Sequence, residues 1–148
     1  MRKNRSMPAC TVIPELGYQD VDRAIDWLCG AFGFELRLRI ANHRAQLNVG
    51  DGAIVLKELQ VGAVRAASDI TGQSHAMMVR VEDVEGHYER AKRYGAAILL
   101  KPTNYPFGER QYTCRDLGDH VWTFSQSVTD IAPVDWGGVL HWSASSCS

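Results

Sequence analysis

The apolar residues Val21, Ile25, Leu28 and Phe32 recur at steps of four, three and four, which lines one face of a helix. Asp20 stands where a carboxylate can accept from the helix's unpaired first-turn amides, and Gly33 suits a left-handed C-terminal cap. Beyond that glycine the period drops to two. Phe34, Leu36, Leu38 and Ile40 alternate with Glu35, Arg37 and Arg39, as a half-buried strand requires. Thr11 to Tyr18, Arg44 to Val49 and Ala53 to Leu59 are also expected to be strands.

The same order then returns. His75 to Val81 is expected to be a strand, and a helix runs from Asp83 to about Tyr94 with Val84, Tyr88 and Ala91 inward. Strands follow near Ala97 to Leu100, Arg110 to Arg115 and Val121 to Ser125. Two echoes mark the repeat. Tyr18-Gln19-Asp20-Val21-Asp22 matches Val81-Glu82-Asp83-Val84-Glu85, and Val49-Gly50-Asp51-Gly52 matches Leu117-Gly118-Asp119-His120, at offsets of 63 and 68 residues. Only two copies fit, so the chain is a doubled βαβββ module and not a solenoid. The expected division is an arm (1–10), a single domain (11–126) and a tail (127–148). The domain comprises module one (11–61), a linker (62–73) and module two (74–126).

At 148 residues, the chain is long enough for one proper hydrophobic core. A net charge of −1 argues against a nucleic-acid partner, which would need a basic surface. The stretch holding Arg2, Lys3 and Arg5 reads as a frayed terminus. There is no apolar run near the eighteen or so residues that would span a bilayer. The cysteines Cys10, Cys29, Cys114 and Cys147 form no C-x-x-C pair, so a reducing cytoplasm is the expected location.

The most specific segments are Ile13-Pro14-Glu15-Leu16-Gly17-Tyr18-Gln19-Asp20, Ala31-Phe32-Gly33-Phe34, Phe107-Gly108-Glu109-Arg110-Gln111-Tyr112, and His120-Val121-Trp122-Thr123-Phe124. With the tandem modules, these resemble the vicinal oxygen chelate superfamily, the group of glyoxalases, bleomycin-resistance proteins and extradiol dioxygenases. The resemblance implies an α+β fold in which two βαβββ modules form a curved eight-stranded cup with helices outside. It also implies a small-molecule ligand and a homodimer. Asp119 departs from the pattern, because a glycine is usual in that turn.

Members that use a metal hold a divalent ion with four inward side chains, typically His, Gln or Glu. Counted from the repeat motifs, those places fall to Ile13, Val55, Ala76 and Thr123, which offer hydrocarbon and one hydroxyl. No resident metal is expected. The alternative is a displaced Zn, Ni, Mn or Fe site built from His75 and Glu58. A β-bulge would have to rotate His75 inward, since adjacent strand residues face opposite ways. The simpler reading is a strand-edge histidine bonded to solvent or backbone and, for Glu58, a solvated strand-end charge.

Glu15 shares the parity of Ile13 and could meet a cationic ligand or act as a general base, or simply reach water. Met78 and Arg80 share the parity of Ala76 and could line the cup, although methionine is as often core filler. Tyr105, Phe107 and Tyr112 could cover a flat ligand near the rim. Arg110 and Glu109 could anchor polar groups there or form a rim ion pair of little worth. Trp122 and Phe124 alternate with Thr123 and are expected in the core. Three classes of function remain open: a metal-free protein that sequesters a small molecule, a lyase, isomerase or dioxygenase, and a partner-binding or regulatory module, for which Trp136 and Trp142 of the tail are the only motivation.

Overall fold

The computed structural model describes residues 2–59 and 75–141. Asp20 lies in extended backbone and its carboxylate accepts from the Arg23 amide at 3.1 Å, starting helix α1 (Val21–Phe32). Gly33, at φ 75°, closes it by donating to the Cys29 carbonyl. Asp83 plays the same part for α2 (Val84–Arg93), accepting from Gly86 at 3.1 Å. Both helices therefore begin where the repeated aspartate places them.

Strand β1 (Glu15–Tyr18) precedes α1, and β2 (Glu35–Ile40), β3 (Arg44–Val49) and β4 (Gly52–Glu58) follow it. Their order across the sheet is β1-β4-β3-β2. Module two repeats the scheme with β5 (Met77–Arg80), then β6 (Ala97–Asn104), β7 (Glu109–Arg115) and β8 (Val121–Ser127), ordered β5-β8-β7-β6. In each sheet the first strand pairs in parallel with the last, and the other ladders are antiparallel. The eight strands thus form two open four-stranded halves.

Two strands differ from their expected extents by four residues at one end, the others by at most two. The first begins at Glu15 and not at Thr11. The sixth runs four residues past Leu100, through Pro102. A proline cannot donate to a ladder, yet β6 is an edge strand, and its register shifts between Leu100 and Thr103 across that residue. The expected linker, 62–73, lies outside the described residues.

Leu16, Ala45, Leu47, Ile54 and Leu56 turn toward α1, while Tyr112, Cys114, Trp122 and Phe124 turn toward α2. All nine belong to one buried cluster, because the modules meet through their helix-bearing sides. Phe32, at the end of α1, packs on Trp122 and Phe124 at ring-centroid distances of 5.6 and 4.7 Å. Polar contacts cross the same joint: the Trp27 indole donates to the Tyr94 carbonyl at 2.8 Å, and Arg90 Nε to the Gly30 carbonyl at 2.6 Å. Each sheet turns its other face away from the helices, and residues 5–7 lie against part of the module-one face.

The turn before β8 shows how the chain manages without the usual glycine. Asp119 itself takes φ 64°, a region that aspartate tolerates better than most residues, and its amide donates to the Asp116 carbonyl. Past β8, Pro133–Trp136 forms a short 3-10 helix, and Trp136 packs on Phe107 at 5.1 Å. Trp142 lies outside the described residues. No helix among the described residues is long and apolar enough to cross a membrane.

Candidate functional site

Strand alternation decides what the open faces carry. On the module-one sheet, register places Glu15 beside Val55, Val55 beside Gln46, and Gln46 beside Leu38, in one row across four strands. Their chain neighbours Leu16, Leu56 and Leu47 are in the core, so this row belongs to the open face. Glu15 is not a lone carboxylate. Its two oxygens take Arg44 at 3.2 Å and Lys57 at 3.3 Å, so it is held between two cations at half-exposed positions.

The module-two sheet carries a corresponding row: Met78 beside Thr123, Thr123 beside Thr113, and Thr113 beside Leu100. Met78 is 67% exposed. The Thr113 and Thr123 hydroxyls bond to each other at 3.0 Å. One step along, Gln111 Nε2 donates to the Ser125 hydroxyl (3.0 Å), which donates to a Glu109 carboxylate oxygen (2.8 Å). Arg80 is exposed at the end of β5 and sits in register with Ser125.

Other expected site residues lie elsewhere. Tyr112 is fully buried, because its parity in β7 is that of Cys114 and not that of Thr113. Its hydroxyl donates to His87 Nδ1 at 2.5 Å, and His87 Nε2 donates to the Phe32 carbonyl at 3.2 Å. Burial pushes the His87 imidazole down to about 4 and the Tyr112 phenol well above its ordinary value. Tyr112 is a core residue. Arg110 shares its parity and reaches Glu85 of α2 at 2.6 Å and Asn104 at 3.1 Å, away from the open face.

Tyr105 and Phe107 occupy the β6–β7 connection and stack at 5.5 Å with 14° between planes, with Trp136 against Phe107. Glu58 has the parity of Leu56 and Ile54, and its carboxylate pairs with His43 Nδ1 at 3.1 Å. His75 lies two residues before β5. Among the described residues, no three His, Cys, Asp or Glu side chains gather closely enough to hold a metal.

Arg37 and Gln46 were not singled out by the sequence. Gln46 could have been, since Arg44, Gln46 and Asn48 form the polar half of an alternating strand. Arg37 could not, because the pairing of β2 with β3 shifts register between Leu36 and Leu38. That irregularity brings Arg37 to Gln46, on the face its neighbour Leu38 also lines. Beside them a groove of about 880 Å³ runs between residues 2–13 and the β3–β4 turn, with Ile13, Asn48, Asp51 and Ala53 in its walls.

A family model described as the Glyoxalase/Bleomycin resistance protein/Dioxygenase superfamily matches residues 11–124. The chain belongs to that superfamily. Among superfamily-like structures, TioX from Micromonospora sp. ML1 is 33% identical, with a TM-score of 0.65 over 81% of this chain and 100% of TioX. A glyoxalase-related enzyme from Fulvimarina pelagi matches at 19% identity and TM-score 0.66, covering 80% of this chain and 88% of that one. A lactoylglutathione lyase from Agrobacterium tumefaciens matches at 17% and 0.59, covering 80% and 94%. The last two likenesses are likenesses of fold.

The places that the resemblance assigns to metal ligands, counted along the sequence, are Ile13, Val55, Ala76 and Thr123, of which Ile13 and Ala76 precede the first strand of each module. Val55 is buried in the sheet face, and the Thr123 hydroxyl is engaged by Thr113. Hydrocarbon donates nothing to a divalent ion, and one hydroxyl does not make a donor set. These residues do not fit the superfamily's metal.

Proposed function

We propose that this superfamily member binds a small molecule on its open sheet faces and releases it chemically unchanged, without a resident metal. The observation that carries the reading is the module-one row. Glu15, Val55, Gln46 and Leu38 mix charge, an amide and hydrocarbon across four strands, where metal-using relatives would need a nitrogen or oxygen donor at Val55. A face of that kind suits an organic ligand, held by apolar contact and fixed by a few polar groups. The groove beside it supplies room.

A homodimer is part of the proposal. The modules of one chain join through their helices, which leaves both open faces to be covered from outside. A second copy laying its module-two face over the first copy's module-one face would complete the cup and bury Met78.

The reading against which this is tested is a lyase or dioxygenase. Glu15, the general-base candidate, is tied to Arg44 and Lys57, and Glu58 pairs with His43, so neither supplies a specific observation in its favour. The test has two parts. Purified untagged protein is incubated with manganese, iron, nickel and zinc, dialysed exhaustively and assayed by elemental mass spectrometry. It is also screened against a broad ligand panel by thermal shift. Metal retention well below one per ten chains, together with saturable stabilisation by a compound recovered intact, is the expected result. Near-stoichiometric retention of one metal, or a panel with no hit, sinks the proposal.

A further inference from the structure

Residues 5–7 of the arm are seated on the module-one sheet. Arg37 Nη2 donates to the Arg5 carbonyl at 2.9 Å and to the Met7 carbonyl at 3.2 Å, while Gln46 Nε2 donates to the Ser6 carbonyl at 2.9 Å. Three consecutive backbone oxygens are thus taken by two side chains of the module-one sheet. The side chains of Arg5, Ser6 and Met7 contribute little, and all three residues are exposed. Of the described arm residues only Pro8, just beyond the gripped segment, is buried. Residues 5–7 are therefore held chiefly by their main-chain carbonyls, a feature shared by any peptide.

The two gripping side chains are prepared for this. Arg37 Nη1 donates to Gln46 Oε1, which leaves the Gln46 amide nitrogen and Arg37 Nη2 turned to the arm as donors. Gln46 is only 8% exposed, an amide set between Leu38 and Val55 in an otherwise apolar part of the row. A buried amide at such a place needs partners for both its oxygen and its nitrogen, and the Ser6 carbonyl supplies the second. The register shift at Arg37 completes the pair. An array of outward donors donates to carbonyl oxygens and offers nothing to a cation or to an N–H.

We propose that Arg37 and Gln46 form a carbonyl-reading subsite on the module-one face, that its ligand presents consecutive amide carbonyls as a peptide does, and that residues 5–7 occupy it as an exchangeable stand-in. This inference rests on the reading of the open face as a binding surface and names the ligand class. Entry of the ligand requires the arm to leave, which opens the adjoining groove along Ile13 and Ala53.

The test uses the full chain labelled with nitrogen-15 and a blocked tripeptide, acetyl-triglycine N-methylamide, which carries carbonyls and no side chains. Titration is expected to shift the Gln46 side-chain amide signals saturably and to move the Ser6 and Met7 amides toward random-coil positions. Gln46→Glu can still pair with Arg37 but turns an oxygen toward the arm. It is expected to release the arm without the probe and to weaken probe binding at least tenfold, with the melting temperature showing that the fold is kept. Arg37→Lys, which keeps the charge and loses the fork, is expected to weaken binding similarly. Gln46 signals that ignore the probe, or an unchanged response in both variants, overturn the subsite. A panel compound that binds the open face while the Gln46 signals and the arm stay in place also overturns it, and leaves the binding function standing.

Discussion

Tyr18 donates its hydroxyl proton to Asp116 at 2.5 Å, joining the end of β1 to the end of β7 across 98 positions of sequence. The Asp116 carboxylate also accepts from the Trp122 indole (3.0 Å) and from the Gly118 and His120 amides (2.8 and 3.0 Å). One buried carboxylate thus organises the β7–β8 turn, anchors the large core tryptophan and ties module two to module one. His120 reinforces the tie by donating from Nε2 to the Gly17 carbonyl at 2.9 Å.

Tyr18→Phe removes one of these donors and leaves the buried carboxylate short of a partner. A loss of about 2 kcal/mol of unfolding free energy is expected, since hydrogen bonds to charged groups are worth more than neutral ones. Asp116→Asn changes two acceptor oxygens into one and sets an N–H against other donors, so it should cost more, about 3 kcal/mol. Urea denaturation of the two variants checks the order. Equal and negligible losses would mean that the tie contributes little.

His87 makes stability depend on pH. Its folded-state value is about 4, set mainly by burial, against an ordinary value of 6.5. Above pH 6.5 neither folded nor unfolded chain binds the proton, and the contribution is complete. As pH falls from 6.5 toward 4, the unfolded chain takes up the proton first, so stability declines by up to about 1.4 kcal/mol per pH unit. His87→Gln should flatten that part of the profile relative to the parent. Parallel profiles for the two proteins between pH 6.5 and 4 would contradict this assignment.

Gly108 sits at φ 84° in the β6–β7 connection, and an added methyl there would run into the Thr129 carbonyl oxygen and crowd Ile131. Its own carbonyl accepts from the Val128 and Thr129 amides, which fixes the start of the tail. Gly108→Ala should therefore cost about 2 kcal/mol or more through strain and displaced packing. It should also loosen Trp136 from Phe107, seen as a red shift in tryptophan emission. Unchanged emission and stability would show that the connection yields easily.

Asp119→Gly tests the opposite case. Glycine relieves the cost of φ 64° but gives the unfolded chain more freedom, and the two effects nearly offset. A change within about 1 kcal/mol is expected, against a clear loss for Asp119→Val, whose branched side chain resists that conformation. Thermal melts of both variants decide it.

What the sequence revealed follows from range. The helices and their caps were legible because Asp20, Gly33 and Asp83 act within a few residues of themselves. The core assignment of Trp122 and Phe124 was legible because parity along a strand is local once one neighbour is placed. The burial of Tyr112 was not legible, because its strand had no such reference until Cys114 and Thr113 could be sorted between core and face. The Arg37–Gln46 pair depends on a register irregularity, and the seating of the arm depends on main-chain oxygens that every sequence possesses. Neither leaves a mark in the order of side chains. The sheet face that Glu15 occupies was legible by counting, but its cations Arg44 and Lys57 come from strands that only pairing brings alongside.

Phe32 has a consequence of another kind. Its ring meets those of Trp27, Phe34, His87, Trp122 and Phe124, drawn from both halves of the doubled chain. A repeat usually suggests two parts that could once have lived apart, yet here each half finishes its interior with the other's aromatic residues. Separated, either would present a wide hydrocarbon wound to water. The duplicated chain is therefore a single cooperative unit, and drift in one copy is held in check by the shape of its twin.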